Sequence, residues 1–267
     1  MKKFCGVLII TLALLFVYVP IVILAIYSFT ESKSLFWSGF SFQPYLSLFS
    51  SSELIDMLVN TVVLALAAAA IATILGTLGA IGIYYNKKWI GKFTSASSRI
   101  PVINAEIVTA ISLAFVFSFV LLRGTYFSLL IGHVVICVPF VVLSVIPKLK
   151  QMDGSLYEAA LDLGATPTQA LFKVVLPEIL PGVISGFLLA ITLSLDDYMV
   201  SAYNKPDDFE TISTFVYKAL AKPRNAPLAE LRALSSIIFI VMVIGVLVVN
   251  FKMSSENKQG KLKEKRR

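Results

Sequence analysis

Histidine appears once in 267 residues, cysteine twice and tryptophan twice. A single histidine offers no histidine-rich metal site. Cys5 and Cys137 lie in separate apolar runs, which indicates neither a disulfide framework nor a thiolate cluster; both read as small packing residues. No nucleophile motif stands out, which argues against a membrane-embedded enzyme. Charge is also scarce: 15% of residues are charged, against about 25% in soluble domains. A phosphate loop of the form G-x-x-x-x-G-K-[ST] is missing, since Gly91-Lys92 lacks the preceding pattern. The chain is therefore expected to bind no ATP by that mechanism and to carry neither metal nor cofactor of its own. ATP and Mg, if the chain works with them, belong on a partner.

What is abundant is apolar surface: 57% of residues are hydrophobic and the mean hydropathy is +0.85. That composition belongs to a membrane protein. A helix crosses a bilayer with roughly 20 apolar residues, and six segments qualify, at about 4–29, 57–83, 102–122, 126–147, 179–202 and 233–251. The expected fold is all-α: a polytopic membrane protein with six transmembrane helices in one domain over 1–267. Lys2 and Lys3 before the first run imitate a secretory signal, but the run exceeds the about 7–15 residues of a signal core and no small-residue cleavage site closes it. It reads as a retained span with a kink at Pro20. Arg123-Gly124-Thr125 alone separates the third and fourth spans, which makes them a tight antiparallel pair. The second span is rich in small residues, Ala67 to Ala70 and then Gly76, Gly79 and Gly82, and is expected at the centre of the bundle.

Basic residues set the orientation. With the N-terminus inside, the inner segments hold Lys2, Lys3, Lys87, Lys88, Lys92, Arg99, Lys148, Lys150 and Lys173. The tail 252–267 adds seven more, so sixteen of the 23 basic residues fall on one side. Both termini are then cytoplasmic in a multi-pass cell-membrane protein. The net charge of +7 serves as a lipid-facing anchor rather than a nucleic-acid surface.

This topology leaves residues 148–178 in the cytoplasm, where turn signals crowd together. Ser155 and Glu158 have the spacing of a capping box, so a helix is expected from near Leu156, closed by Gly164. Thr166 and Gln169 make a second box around Pro167, a residue tolerated in the first helical turn. The second helix is expected to end near Leu176, before Pro177. Leu156, Ala159, Ala160 and Leu163 form one apolar face; Ala170, Leu171, Val174 and Val175 form another. Such faces pack either on the chain's own bundle or on a partner, because short helices are marginal alone in water.

The residues "EAALDLGATPTQALFKVVLP" from Glu158 to Pro177 resemble the EAA motif of ABC-importer permeases, EAA-x3-G-x9-I-x-LP, with Val174 in place of the usual isoleucine. "YVPIVILAIYSF", "IVTAISLAF", "HVVICVPFVV" and "LSLDDYMVSAY" resemble the polyamine permeases within that family, and among them the second permease subunits of spermidine/putrescine importers. The resemblance implies a type I importer fold. It makes Glu158, Ala159, Ala160, Gly164, Leu176 and Pro177 a coupling loop for a cytosolic ATPase dimer. It also implies a second permease, an extracytoplasmic substrate-binding protein and a polyamine cargo. The alternatives are an importer for another small solute and an ion-coupled secondary transporter, though the latter has no reason to carry an EAA loop.

Acidic groups at membrane depth are costly and mark candidate pathway residues. Asp196 and Asp197 interrupt the fifth span. Read as one continuous helix, they point about 100° apart, one toward a pathway and the other toward a neighbouring helix. Glu106 falls early in the third span, at the inner interface. Each is either a pathway group or a helix-end or salt-bridge residue. Tyr198 and Trp37 are placed to meet a cation through their rings or to serve as interfacial anchors. His133 reads as an interhelical hydrogen-bonding residue.

Overall fold

Within a bilayer a chain satisfies its backbone groups internally, and helices do so locally. The computed structural model describes residues 2–32, 36–86, 104–222 and 226–264. Lys87, Lys88, Lys92, Arg99 and the last three residues of the basic tail lie outside them. No strand occurs among the described residues. Helices α1 (Lys2–Tyr27), α2 (Gln43–Ser50), α3 (Ser52–Tyr85), α4 (Glu106–Phe119) and α5 (Tyr126–Gln151) come first. They are followed by α6 (Ser155–Asp162), α7 (Pro167–Asp196), α8 (Met199–Asn204), α9 (Ile212–Ala221) and α10 (Leu228–Glu264). α1 runs unbroken through Pro20.

Among the described residues, five helices are long and apolar enough to cross a membrane: α1, α3, α5, α7 and the first part of α10. Two of the six expected spans differ in their helix bounds. The third, expected over 102–122, contains a helix of 14 residues. At 1.5 Å per residue that is about 21 Å, and the first two residues of the expected span lie outside the described residues. Its apolar end goes into a turn instead: Leu121 has φ 56°, and the Leu122 amide donates back to the Phe117 carbonyl at 2.8 Å. The fifth span, expected over 179–202, starts earlier and stops sooner, at Pro167 and Asp196. Pro177 does not end a helix. It follows a π-turn over Leu171–Val175, whose altered bonding accommodates a residue that cannot donate to the preceding turn.

The chain divides into two compact units, residues 1–57 with 215–267, and residues 58–214. In the first, the exit of α1 is tied by the Ser28 hydroxyl, which donates to the Ala25 carbonyl at 2.6 Å and lies 2.7 Å from the Tyr45 hydroxyl. Phe29 stacks on Phe40 with ring centroids 5.1 Å apart and meets Phe42 and Tyr45. Arg232 on α10 donates to the carbonyls of Leu228 and Ser32.

In the second unit α5 is the central helix. Cys137, Val141, Val142, Val145 and Leu149 pack against Ala68, Ala69, Ala72 and Ala80 of α3 and against Val175, Ile179 and Ala190 of α7. Lipid tails are as apolar as these side chains, so close packing supplies most of the helix association. Gly76 shows how close: a Cβ there would stand 2.7 Å from Val141 Cβ. The small-residue stripe in α3 therefore packs centrally as expected, except that Gly82 has nothing within 4 Å of its would-be Cβ.

Candidate functional sites: an exposed helical loop and an acidic cavity

The loop between α5 and α7 is built by local hydrogen bonds. The expected Ser155–Glu158 capping box does not form. Gly154 precedes the first turn with no side-chain cap, and Asp153 accepts from the Ser155 amide at 3.0 Å and its hydroxyl at 2.9 Å. An aspartate two residues upstream reaches these donors without leaving the turn. The same two bonds hold the Asp153 carboxyl below its ordinary pKa. At its other end α6 closes as expected: Gly164 has φ +85°, the Gly164 amide donates to Leu161 at 2.9 Å and the Ala165 amide to Ala160 at 3.0 Å. This is the paired bonding of a Schellman turn. Thr166 and Gln169 form the second capping box reciprocally, at 3.3 and 3.1 Å.

The two apolar faces have different fates. Ala170 and Val175 are buried, so the start of α7 packs on the chain's own core. α6 buries no residue fully. Tyr157 holds it to α3, its ring 5.0 Å from that of Tyr85. Glu158 and Ala159 are exposed, Ala160 is half-buried, and Leu163 is 89% exposed. Gly164 is exposed as well, whereas Leu176 and Pro177 lie within α7.

The acidic residues converge. A cavity of about 220 Å³ is lined by Glu106 and Thr109 of α4, Ile136 and Phe140 of α5, and Thr192, Leu193, Asp196 and Asp197. Asn104 completes it. Ile136 and Phe140 are ten and fourteen residues into the 26-residue α5, so the cavity lies at about the middle of that helix. Glu106 is the first residue of α4, so the helix-end reading holds for it. It opens a short helix whose first turn stands level with the middle of α5.

The two aspartates differ by backbone as well as by side-chain direction. Asp196 is the last residue of α7 and is exposed. Asp197 is in extended conformation, φ −63° and ψ 121°, and is buried. Its carboxylate accepts from the Val200 amide at 3.2 Å and the Ser201 amide at 2.9 Å, so it caps α8. The continuous helix expected through both residues is broken here. An aspartate ahead of an apolar run is itself a helix-start signal, and "DDYMVSAY" carried it. Tyr198 sits half-buried in the break. Trp37 belongs to the first unit, where its ring meets Tyr27 edge-on at 5.8 Å.

Next to the cavity lies a buried polar group whose partners spacing alone did not disclose. His133 Nδ1 is 2.7 Å from Ser194 Oγ of α7, and Nε2 is 3.0 Å from Ser201 Oγ of α8. Asp197 Oδ2 is 3.5 Å from the same Nε2. The expected interhelical bonding of His133 is thus present, and it reaches both sides of the break. Asn204 donates to the Val200 and Ala110 carbonyls at 3.1 and 3.4 Å, and Ser128 donates to the Asn204 carbonyl at 3.1 Å. These bonds hold α8 between α4 and α5. No cluster of potential metal ligands occurs among the described residues.

The fold and the loop define a class, a membrane-spanning transport subunit. The family model described as binding-protein-dependent transport system inner membrane component matches residues 72–254, and the chain belongs to that family of ABC-importer permeases. Among curated relatives, the spermidine/putrescine transport system permease protein PotC of Haemophilus influenzae is 35% identical over 91% of this chain and 93% of its own. PotC of Escherichia coli K12 is 33% identical over 87% of both. The putrescine transport system permease protein PotI of Escherichia coli K12 is 30% identical over 95% of this chain and 92% of its own. A chain of a bacterial ABC transporter that imports the acidic polysaccharide alginate shares the fold at TM-score 0.67 and 16% identity, covering 93% of this chain and 95% of that one. A chain of the MetNI methionine transporter does so at 0.56 and 21%, covering 76% of this chain and 95% of that one. The chain is a multi-pass membrane permease.

Proposed function

We propose that the chain is a permease subunit of an ATP-driven polyamine importer. It works with a second permease, a cytosolic ATPase dimer and an extracytoplasmic substrate-binding protein, with both termini in the cytoplasm and the basic tail near anionic lipid. The observation that carries the cargo class is the cavity in which Glu106 and Asp196 stand exposed. The relatives named for spermidine and putrescine transport support it. A polyamine carries several ammonium groups along a flexible chain and can exchange successive carboxylates as it moves. A few partly hydrated acidic groups favour entry and still permit release. The related alginate importer handles an acidic polysaccharide, so the fold does not set the sign of the cargo; the cavity residues do.

The exposed face of α6, with Glu158, Ala159 and Leu163, is the surface offered to the ATPase. Motion imposed there passes through the Gly164 turn into α7. That helix, with the π-turn over Leu171–Val175 in its first part, extends from the loop to Asp196, 30 residues or about 45 Å. One helix therefore joins the coupling surface to the cavity rim.

Reconstituted vesicles holding all the transporter's subunits test this reading. The expected result is ATP-dependent uptake of spermidine or putrescine and none of an uncharged solute of similar size. Uptake of another small solute without polyamine uptake assigns the cargo elsewhere. Reporter fusions at Lys3 and after Arg267 are expected on the same inner side, with a fusion near Asp208 outside; opposite sides for the termini would refute the orientation.

A further inference from the structure

His133 is fully buried and is not itself part of the cavity lining, although its Nε2 lies 3.5 Å from Asp197, which is. Its two nitrogens bond Ser194, near the end of α7, and Ser201, within α8. These serines are seven positions apart. In one continuous helix that is about 10.5 Å of rise, a span that a single imidazole ring with bonds of 2.7 and 3.0 Å does not bridge. The arrangement exists only while the helix is broken at Asp197. His133 thus discriminates between the broken and continuous forms of this segment.

We propose that His133 is a positioning residue for the transport path: it clasps the two sides of the α7–α8 break and so keeps Asp196 at a helix end, open to the cavity. Asp197 assists from within the break by capping α8. Ser213 adds a restraint, donating to the Asp197 carbonyl at 2.6 Å. All of these groups belong to the same compact unit. Without the clasp, Ser194 and Ser201 lose a shared partner in a buried site, where unmet polar groups are costly. The backbone amides of Val200 and Ser201 then gain by joining the preceding helix, which turns Asp196 from a terminal into an interior residue. The inference rests on reading the cavity as the cargo path, but its first test does not.

In the complete transporter carrying Cys5→Ser and Cys137→Ala, Asp196→Cys is labelled with a cationic thiosulfonate. The expected result is that adding His133→Ala slows labelling by about tenfold, the scale of losing buried hydrogen bonds. His133→Gln retains an amide able to bond both hydroxyls and restores most of the rate; Ser201→Ala alone gives an intermediate rate. In the background with Asp196 intact, uptake per assembled complex follows the same order. An unchanged labelling rate in His133→Ala overturns the proposal. So does a loss confined to the amount of assembled complex, with normal labelling of what remains, since that is the signature of a packing role. If labelling follows the expected order but no variant, including the parent, takes up polyamine, the clasp stands and the cargo assignment falls.

Discussion

Two junctions on either side of α7 join helices by different means. At Gly164, between α6 and α7, the turn closes through amides that donate to carbonyls three and five residues back. At Asp197, between α7 and α8, the break is held by His133, whose partners Ser194 and Ser201 lie 61 and 68 residues further along the chain. The first junction is a property of the local backbone and stands exposed. The second is buried and depends on how α5 packs against its neighbours. The difference suits their placement. On the proposed function, a surface offered to a separate ATPase is formed before any partner arrives, while a carboxylate within the bundle needs the bundle to aim it.

The comparison breaks most sharply at Gly164. Its φ of +85° strains any side chain, most of all a β-branched one, at about 1–3 kcal/mol. Gly164→Val is expected to abolish cargo-stimulated ATP hydrolysis in the assembled complex while the permease still inserts. Gly164→Asn, which tolerates the left-handed region, is expected to keep a large part of it. Equal activity in the valine variant would remove the loop from coupling.

On the proposed function, the aspartates divide the second junction into a pathway part, Asp196, and a structural part, Asp197. Asp196→Asn is expected to lower polyamine uptake per complex by about tenfold, the effect of removing one charge–charge contact at a partly hydrated site, with assembly unchanged. Asp197→Asn weakens the cap on α8, at about 0.5–2 kcal/mol for such losses, and is expected to reduce assembled complex more than uptake per complex. Quantifying complex and uptake in the same vesicles separates the two, and the reverse pattern would exchange their roles.

A smaller effect is expected where packing alone is disturbed. Gly76→Ala places a methyl group 2.7 Å from Val141 Cβ, and overpacking of this kind costs about 1–3 kcal/mol. The thermal midpoint of the detergent-purified complex is expected to fall. Gly82→Ala has open space and is expected to leave the midpoint unchanged.

The smallest effect concerns Asp153. Its carboxyl titrates below its ordinary value because of the Ser155 amide and hydroxyl. A depressed folded-state pKa contributes stability above the unfolded value, about 3.9, and that contribution is lost as pH falls through the lowered pKa. Hydrogen exchange at the start of α6 is therefore expected to be flat from neutral pH down to the ordinary carboxylate range and to lose protection below it. Asp153→Asn is expected to remove the acid step.

The sequence by itself determined the helical class, four of the long spans to within a few residues, the coupling-loop motif, the turn at Gly164 and the Thr166–Gln169 box. Each depends on apolar length or on residues within a few positions of one another, where the relevant partners are present in any short peptide. Tertiary structure decided the rest. The third expected span shortened because its apolar tail entered a turn at Leu121. The fifth extended through Pro177 because a π-turn accommodated the proline. Glu106 joined Asp196 because a short helix begins level with the middle of α5. Asp197 left the helix to cap α8, and His133 closed the break from a different helix. Hydrophobicity counts lengths but carries no information about depth or partners, and a buried polar group takes its role from whichever donor or acceptor the packing brings within about 3 Å.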